Sequence, residues 1–571
     1  MALNKKMATL TLVVIVLLGG WLRLQGLNWD QGYHLQPDER YISMVLSSLS
    51  PPKNLTEYLD PNKSSLSPYI HNFGAYIYGQ LPLTVMIYLS RWVEMEGYDR
   101  TYLLGRGISA MLDTLSIILV YKLGKRLWNE MMGIVGAAFY AFSPLAIQYS
   151  HFMTMESWLV FSWLIMILIL TRLPHQPFAK GWFVMTGLIG VGLGAAMAVK
   201  LNSVALVPLV AATILLSFKD SPWRTPRRIL LGYFGSLGIL GGVTVLSFRF
   251  FQPTIFASVS WLDWSLRQDF YQAFNFQRQA IDGKVMFPPQ WQWVNTPRWW
   301  FPLKNIVLWG MGSAAGGLAV VGIIWQIWRI RHIGGQDVLK KAWRLLLAAW
   351  ITGVFLWQGG KFVRIMRYYL PFFPLYALFA ASAVDSFKRF NLAKARLNLR
   401  IIVMAASIIS SGLWALMFTN IYRTTTTRIA ASEWIYQNIP DGSKVMLEEW
   451  DDPLPLSLAG YPAKKYVSAM EPVYAPDDEK KKLLIDGWIN KYDWIILSSR
   501  RAKGSIGRLP NQFPLMSRFY KDLESGTLGF VKVTEFTSFP KFQFSIDDSY
   551  AEESFWVYDH PKVEIYQKLE E

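Results

Sequence analysis

Apolar runs approaching the roughly 20 residues that a helix needs to cross a bilayer recur along this chain. Eleven lie near 7–27, 104–121, 131–150, 157–171, 181–199, 203–218, 229–252, 304–328, 343–358, 366–384 and 400–421. The pattern predicts a polytopic α-helical membrane protein with about eleven transmembrane helices. A twelfth stretch, 73–90, contains Gln80, Pro82 and several tyrosines and reads as interfacial or re-entrant. The first run is long, and the GGWLRLQGLNW that ends it has no small-residue cleavage site, so a retained helix is expected rather than a cleaved signal.

Composition agrees: of 571 residues, 52% are hydrophobic and 15% aromatic. The absence of cysteine excludes disulfides, thiolate nucleophiles and Cys-ligated metals. The location of the net charge of +17 decides its meaning. The connecting loops 1–6, 122–130, 172–180, 217–228, 329–344 and 385–400 hold 21 Lys and Arg against four acids, Glu130, Asp220, Asp337 and Asp385. That excess equals the whole net charge, so the basic balance orients the chain and calls for no nucleic acid. The expected topology is multi-pass in the cell (inner or plasma) membrane, with the N-terminus cytoplasmic. Loops 28–103 and 253–303 and a tail of about 150 residues from 422 then face outward.

Residues 1–421 read as the transmembrane domain and 422–571 as a separate extracytoplasmic α/β domain. In the tail, amphipathic helical patterns (AASEWIYQNI, DDEKKKLLIDGWINKY) alternate with strand-like runs (KVMLE, DWIILSS, LGFVKVTEF, SFWVYDH, KVEIYQ). No internal repeat and no phosphate-cradling glycine loop is visible, so nothing supports ATP or a nicotinamide cofactor.

The candidate chemistry gathers on the outward side. In 32-GYHLQPDERYIS-43, Asp38 and Glu39 precede Arg40. Adjacent side chains diverge, so the expected division is one acid on the chemistry and the other on orientation or a nearby cation. An aspartate in water is ionised near neutral pH and can accept a hydroxyl proton. Other outward ends supply His151 and Glu156 in SHFMTMES, Arg106 in GRGISAMLD, and Lys200 in AAMAVKLNS. Asp113 lies deeper, inside a span, where an ionisable group is a functional candidate by default. Lys361, Arg364 and Arg367 in GGKFVRIMRYYLP run against the positive-inside trend, which suits an anion such as a phosphate at the membrane surface. Loop 253–303 ends in PPQWQWVNTPRWWFP. A loop of that length without clear structure reads as a lid, its tryptophans belonging chiefly to the headgroup belt. Asp30, His34, Asp38, Glu39, His151 and Glu156 could supply metal ligands, but no fixed-spacing motif appears, and a divalent metal is not favoured.

These residues resemble GT-C-type membrane glycosyltransferases of the protein O-mannosyltransferase, or glycosyltransferase family 39, group in its bacterial form. The resemblance rests on LQPDERY, GRGISA, HFMTMES and RYYLPFFPLYALFAA, with ASEWIYQNIPDGSKV and VYDHPKVEIYQ in the tail. It is strongest at 28–160 and 360–385. It implies a GT-C-like fold and transfer of a sugar, of hexosyl or mannosyl type, from a polyprenyl-phosphate carrier to a hydroxyl of a protein, lipid or glycan acceptor. It makes Asp38 the general base and Glu39 a supporting acid. The leaving lipid phosphate is anionic and needs positive charge, for which Arg106, Lys361, Arg364 and Arg367 are candidates. Arg40, His151, Glu156 and Lys200 would support the site. One base and no second carboxylate nucleophile imply inversion. The competing readings are a transporter or flippase of a lipid-linked anion, a non-catalytic envelope assembly partner, and a metal-dependent oligosaccharyl transferase.

Overall fold

The computed structural model describes residues 4–173, 177, 180–218, 225–329, 338–387, 391–392, 397–461 and 465–569. Parts of the basic loops 172–180, 217–228, 329–344 and 385–400 lie outside the described residues. All eleven apolar runs are helical over most of their length. The helices among the described residues include α1 (Lys5–Leu24), α2 (Pro37–Ser48), α3 (Tyr98–Leu127), α4 (Glu156–Leu170), α5 (Lys180–Val199), α6 (Pro226–Phe251), α7 (Gln268–Ile281), α8 (Phe373–Ser386), α9 (Leu399–Thr419) and α10 (Thr427–Asn438).

Among the described residues, five helices are long and apolar enough to cross a bilayer: α1, α3, α5, α6 and α9, which a 3-10 turn, Asn420–Arg423, and the non-helical residues 424–426 separate from α10. Run 343–358 lies in an unbroken 22-residue helix, Val338–Gly359, that is long enough but less apolar, and the other runs are shorter or interrupted, which is where they depart from the eleven expected spans. Run 131–150 bends by 60° between Glu130–Ala141 and Pro144–Ser150, where Pro144 has no N–H to continue the helix. α4 has 15 residues. Run 304–328 is broken by a π-turn at Ile306–Gly310, and run 366–384 begins as a 3-10 turn, Met366–Phe372. The stretch 73–90 ends in a 13-residue helix, Gln80–Trp92, whose ~20 Å falls short of the ~30 Å hydrocarbon core.

Deep in the bundle, Arg23 of α1 is fully buried and donates from Nε to Asp113 Oδ2 of α3 at 2.6 Å. Its Nη1 donates to Gly19 O and Ala141 O, both at 2.9 Å, and Tyr140 donates its hydroxyl to the same Asp113. The pair therefore ties three helices together, and Asp113, expected as a functional group, is a structural one. At the end of α1, Gly26 has φ +70°, and a Cβ there would sit 2.0 Å from Tyr422 O, so only glycine lets the chain turn against the base of the tail.

The tail forms a five-stranded sheet from β1 (Lys444–Glu448), β2 (Val467–Glu471), β3 (Trp494–Leu497), β4 (Phe530–Phe536) and β5 (Val563–Lys568), in the order β2-β1-β3-β5-β4. β1 pairs parallel with β2 and β3, while β5 is antiparallel to β3 and β4. Of the strand-like runs, SFWVYDH is not a strand: it holds a 3-10 turn, Glu553–Phe555, within a strap, 548–560, laid between bundle and sheet. Edge strand β2 escapes the pattern because its side chains alternate weakly between exposed and half-buried. Loop 253–303 is more ordered than expected: it contains α7 and a 3-10 turn, Pro288–Trp293.

Replacing Asp113 by Leu leaves Arg23 buried and uncompensated. We expect a loss of about 3–5 kcal/mol, read by thermal unfolding in detergent, with much of it recovered in the double variant Arg23→Met/Asp113→Leu. Equal melting of the single variant and wild type would refute this role.

Candidate active site

α2 opens with Pro37 in its first turn, where proline's missing N–H costs nothing, and Gln36 caps it by accepting from Glu39 N at 2.5 Å. Successive residues on a helix point about 100° apart, so Asp38 and Glu39 face different neighbours. Glu39 turns inward and is fully buried. It receives Arg106 Nε at 3.0 and 3.2 Å and Nη2 at 2.5 Å, and Met153 N at 2.6 Å. Arg106 also donates to Asp30 Oδ1 and Oδ2 at 2.9 and 2.8 Å and to Leu27 O at 2.7 Å. Trp29 and Tyr102 lie over its guanidinium, 5.0 and 4.8 Å from their ring centres. Burial pushes the Glu39 carboxyl above its ordinary value, against the pull of Arg106. Burial acts the same way on Asp30, but Arg106 and two backbone N–H donors outweigh it and hold that carboxyl below its usual range.

This arrangement corrects two expectations. Arg106 has no donor left for a phosphate, and Glu39 has no free face for a substrate; both fasten the loop before α2 onto α3.

Asp38 turns the other way and is 23% exposed. It pairs with Arg367, at the start of the 3-10 turn that leads into α8. Tyr78, Tyr368 and Tyr558 lie within electrostatic reach of the pair. Burial first and the Asp38 carboxylate second push the Tyr78 phenol well above its ordinary value, so it remains a proton donor. Arg367 Nε is buried without a hydrogen-bond partner. Arg367 also lies within electrostatic reach of Glu156, which accepts from Lys200 Nζ at 2.7 Å. Asp38, Arg367, Glu156 and Lys200, from four separate parts of the chain, thus form one polar cluster of alternating charge.

The remaining predicted residues fall outside it. Arg40 donates to His34 O at 2.8 Å and to Asp452 of the tail at 2.7 Å, so it bridges the loop to the sheet. His151 is buried, stacked 3.8 Å from Tyr422, with its ring nitrogens on Ile147 O and Gln25 O at 2.7 and 2.8 Å. Burial pushes its pKa down to about 4, so it is a neutral brace. Lys361 pairs with Asp282 after α7 at 2.8 Å, and Arg364 is buried on Thr296 Oγ1 at 2.7 Å. Both hold loop 253–303 in place. Among the described residues no group of three or more His, Asp or Glu is placed to hold a metal ion. Asp30, Asp38, Glu39, His151 and Glu156 are instead divided among Arg106, Arg367, Lys200 and backbone partners, while the His34 ring, its nitrogens without a hydrogen-bond partner, packs 4.0 Å from Tyr98.

Sequence reasoning missed the strap. Glu552 caps Met366 N at 3.2 Å, one residue before Arg367, and donates its own N–H to Asn305 at 2.8 Å. Tyr558 lies within electrostatic reach of Asp38. His560 is buried between Asp559 at 2.5 Å and Asp548 at 2.8 Å, and Asp559 also receives Gln148 of the bundle at 3.1 Å and Tyr422 at 2.7 Å. The signal was present in the D-x10-DH spacing, but nothing local indicates that these residues fold onto the bundle.

An apolar cavity of about 130 Å³ lies beside this segment, lined by residues including Ile306, Met311, Ala319, Ile351, Phe355 and Tyr376. Tyr369 packs against Phe355 of its wall, ring centres 5.5 Å apart and tilted by 47°.

A family model described as dolichyl-phosphate-mannose-protein mannosyltransferase matches residues 102–246, a stretch that contains Arg106, His151, Glu156 and Lys200. The chain resembles a GT-C membrane glycosyltransferase. Among solved structures, it is similar to the oligosaccharyltransferase AglB of Archaeoglobus fulgidus in complex with an inhibitory peptide and a dolichol-phosphate. That match has 12% identity and a TM-score of 0.49, covering 90% of this chain and 72% of the other. It is also similar to ArnT of Cupriavidus metallidurans bound to undecaprenyl phosphate, at 13% identity and TM-score 0.44, covering 78% of this chain and 83% of the other. No curated protein matches the chain in sequence.

Two outcomes test the site's supports. Glu39→Gln should destabilise the protein by about 3–5 kcal/mol, because it unbalances a fully buried cation, as read by thermal melting; an unchanged melting temperature would contradict it. The two flanking carboxylates raise His560 to about 10 from its ordinary 6.5, despite burial, so its clamp contributes fully below pH 6.5 and is lost as pH rises through 10. Protease nicking of the strap should therefore rise between neutral pH and pH 10 in wild type, and His560→Gln should flatten that dependence. A steep profile in the variant would show that other groups drive it.

Proposed function

We propose that the chain is an inverting glycosyltransferase that moves a sugar from a polyprenyl-phosphate carrier to an acceptor hydroxyl of a protein, lipid or glycan, on the extracytoplasmic face of the membrane. The observation that carries this reading is the Asp38–Arg367 pair: a partly exposed carboxylate beside a partly exposed guanidinium whose buried Nε has no hydrogen-bond partner. In this account Asp38 takes the proton of the acceptor hydroxyl as its oxygen attacks the anomeric carbon. The bond from that carbon to the phosphate oxygen breaks, and its electron pair stays on the lipid phosphate. Arg367, aided by Lys200, meets that charge. The surrounding tyrosines offer donors and aromatic faces to a sugar.

The apolar cavity lined by Phe355 and Tyr376 supports a lipid-linked donor, since Tyr369, two residues after Arg367, packs 5.5 Å from Phe355 of its wall. The basic loops at the opposite end of the bundle support an outward site. Residues 422–569 are read as an extracytoplasmic domain that completes the site through the strap.

The test is turnover of a panel of polyprenyl-phosphate sugars by the purified protein in lipid, read as release of lipid phosphate with and without chelator. Asp38→Asn should lower turnover by roughly 10²-fold or more. Arg367→Gln should weaken donor binding as well as turnover. Full activity in Asp38→Asn would remove Asp38 as the base, and loss of activity with chelator would move the reading to metal-dependent transfer.

A further inference from the structure

The short hairpin 541–545 lies at the foot of the tail, where Lys541 and Ser545 form an antiparallel bridge and Phe542 N donates to Phe544 O at 3.1 Å. Its two rings point away from the protein: Phe542 and Phe544 are 61% and 63% exposed. A turn that presents two phenylalanines has no core to build.

Its position supplies the reason. Lys541 N donates to Met417 O at 3.1 Å, and Met417 belongs to the last turn of α9, which ends at Thr419. Along α9 the exposed side chains Leu413 and Leu416 give way to Asn420 and Arg423 just beyond its end, which marks where the helix leaves hydrocarbon. The hairpin backbone therefore sits roughly one helical turn, ~5 Å, or less from that boundary, inside an interfacial layer ~5–7 Å thick. A second tie, Thr424 Oγ1 to Ser538 Oγ at 3.2 Å, fixes the approach from the other side.

We propose that this hairpin is a membrane anchor, with Phe542 and Phe544 resting in the lipid headgroup layer beside α9 and Lys541 toward lipid phosphates. Aromatic rings favour that layer, and a lysine ammonium suits anionic headgroups. The hairpin runs directly into the strap, so lipid contact at 542–544 holds the segment that carries Glu552 and Tyr558 to Asp38 and Arg367. The anchor stands independently of the reaction assigned to that site.

Because the chain has no cysteine, one introduced thiol can carry a fluorophore alone. Phe544→Cys, and independently Phe542→Cys, would be labelled with a polarity-sensitive dye in the full-length protein. The protein would then be placed in nanodiscs containing phosphatidylglycerol and shallow spin-labelled lipid quencher. Leu416→Cys gives the lipid reference. Lys444→Cys, exposed at the start of β1 and past the end of α10, gives the aqueous one. Quenching at 544 and 542 should approach that at 416 and exceed that at 444 several-fold. Quenching no greater than at 444 would overturn the anchor: water-like emission would mean a free surface, and blue-shifted emission without lipid quenching would mean a protein partner.

Discussion

The fully buried guanidinium of Arg106 holds the candidate site together. Two carboxylates and a carbonyl take all its donors, and those acceptors come from the end of the first helix and from the start of α2. A buried arginine must be matched in this way or it costs several kcal/mol, so the loop from Leu27 to Glu39 has little freedom to move off α3. Asp38 inherits that rigidity. Its neighbour is locked inward, the helical turn sends it outward, and Arg367 waits on the facing segment.

A second constraint comes from the tail. The strap is clamped to itself by His560 between two aspartates and to the bundle by Gln148 donating to Asp559, and it places Glu552 on the backbone N–H of Met366, directly before Arg367. The acid and the cation of the pair are thus positioned by different parts of the protein: Asp38 by the Arg106 network, Arg367 by the strap. Loop 253–303, held by Lys361, Arg364 and the Trp291–Phe513 contact at 4.8 Å, closes the same end. A site assembled from elements hundreds of residues apart depends on the docking of the tail as much as on the bundle.

Much of this was legible in the sequence. Apolar runs reveal helices because hydrocarbon tolerates no unpaired backbone, and the unequal spread of Lys and Arg predicts which ends face together. Asp38, Glu156, Lys200 and Arg367 all emerge from that reasoning, since each lies at a helix end on the side opposite the basic loops. What could not be read was pairing. Arg106 looks like a phosphate ligand until its partners, 67 and 76 residues away, are seen to consume it. Arg23 gave no hint of Asp113, 90 residues distant. SFWVYDH resembles a strand because bulky aromatic residues favour strands, yet here they bury against the bundle, and tertiary packing overrides the local preference.

The most direct test of the account is a structure of the protein with a bound polyprenyl phosphate. The account predicts the phosphate on Arg367 at hydrogen-bond distance, the Asp38–Arg367 pair opened to receive it, and the Arg106–Asp30–Glu39 network unchanged. A phosphate held by Arg106, or bound elsewhere with the Asp38–Arg367 pair intact, would contradict it.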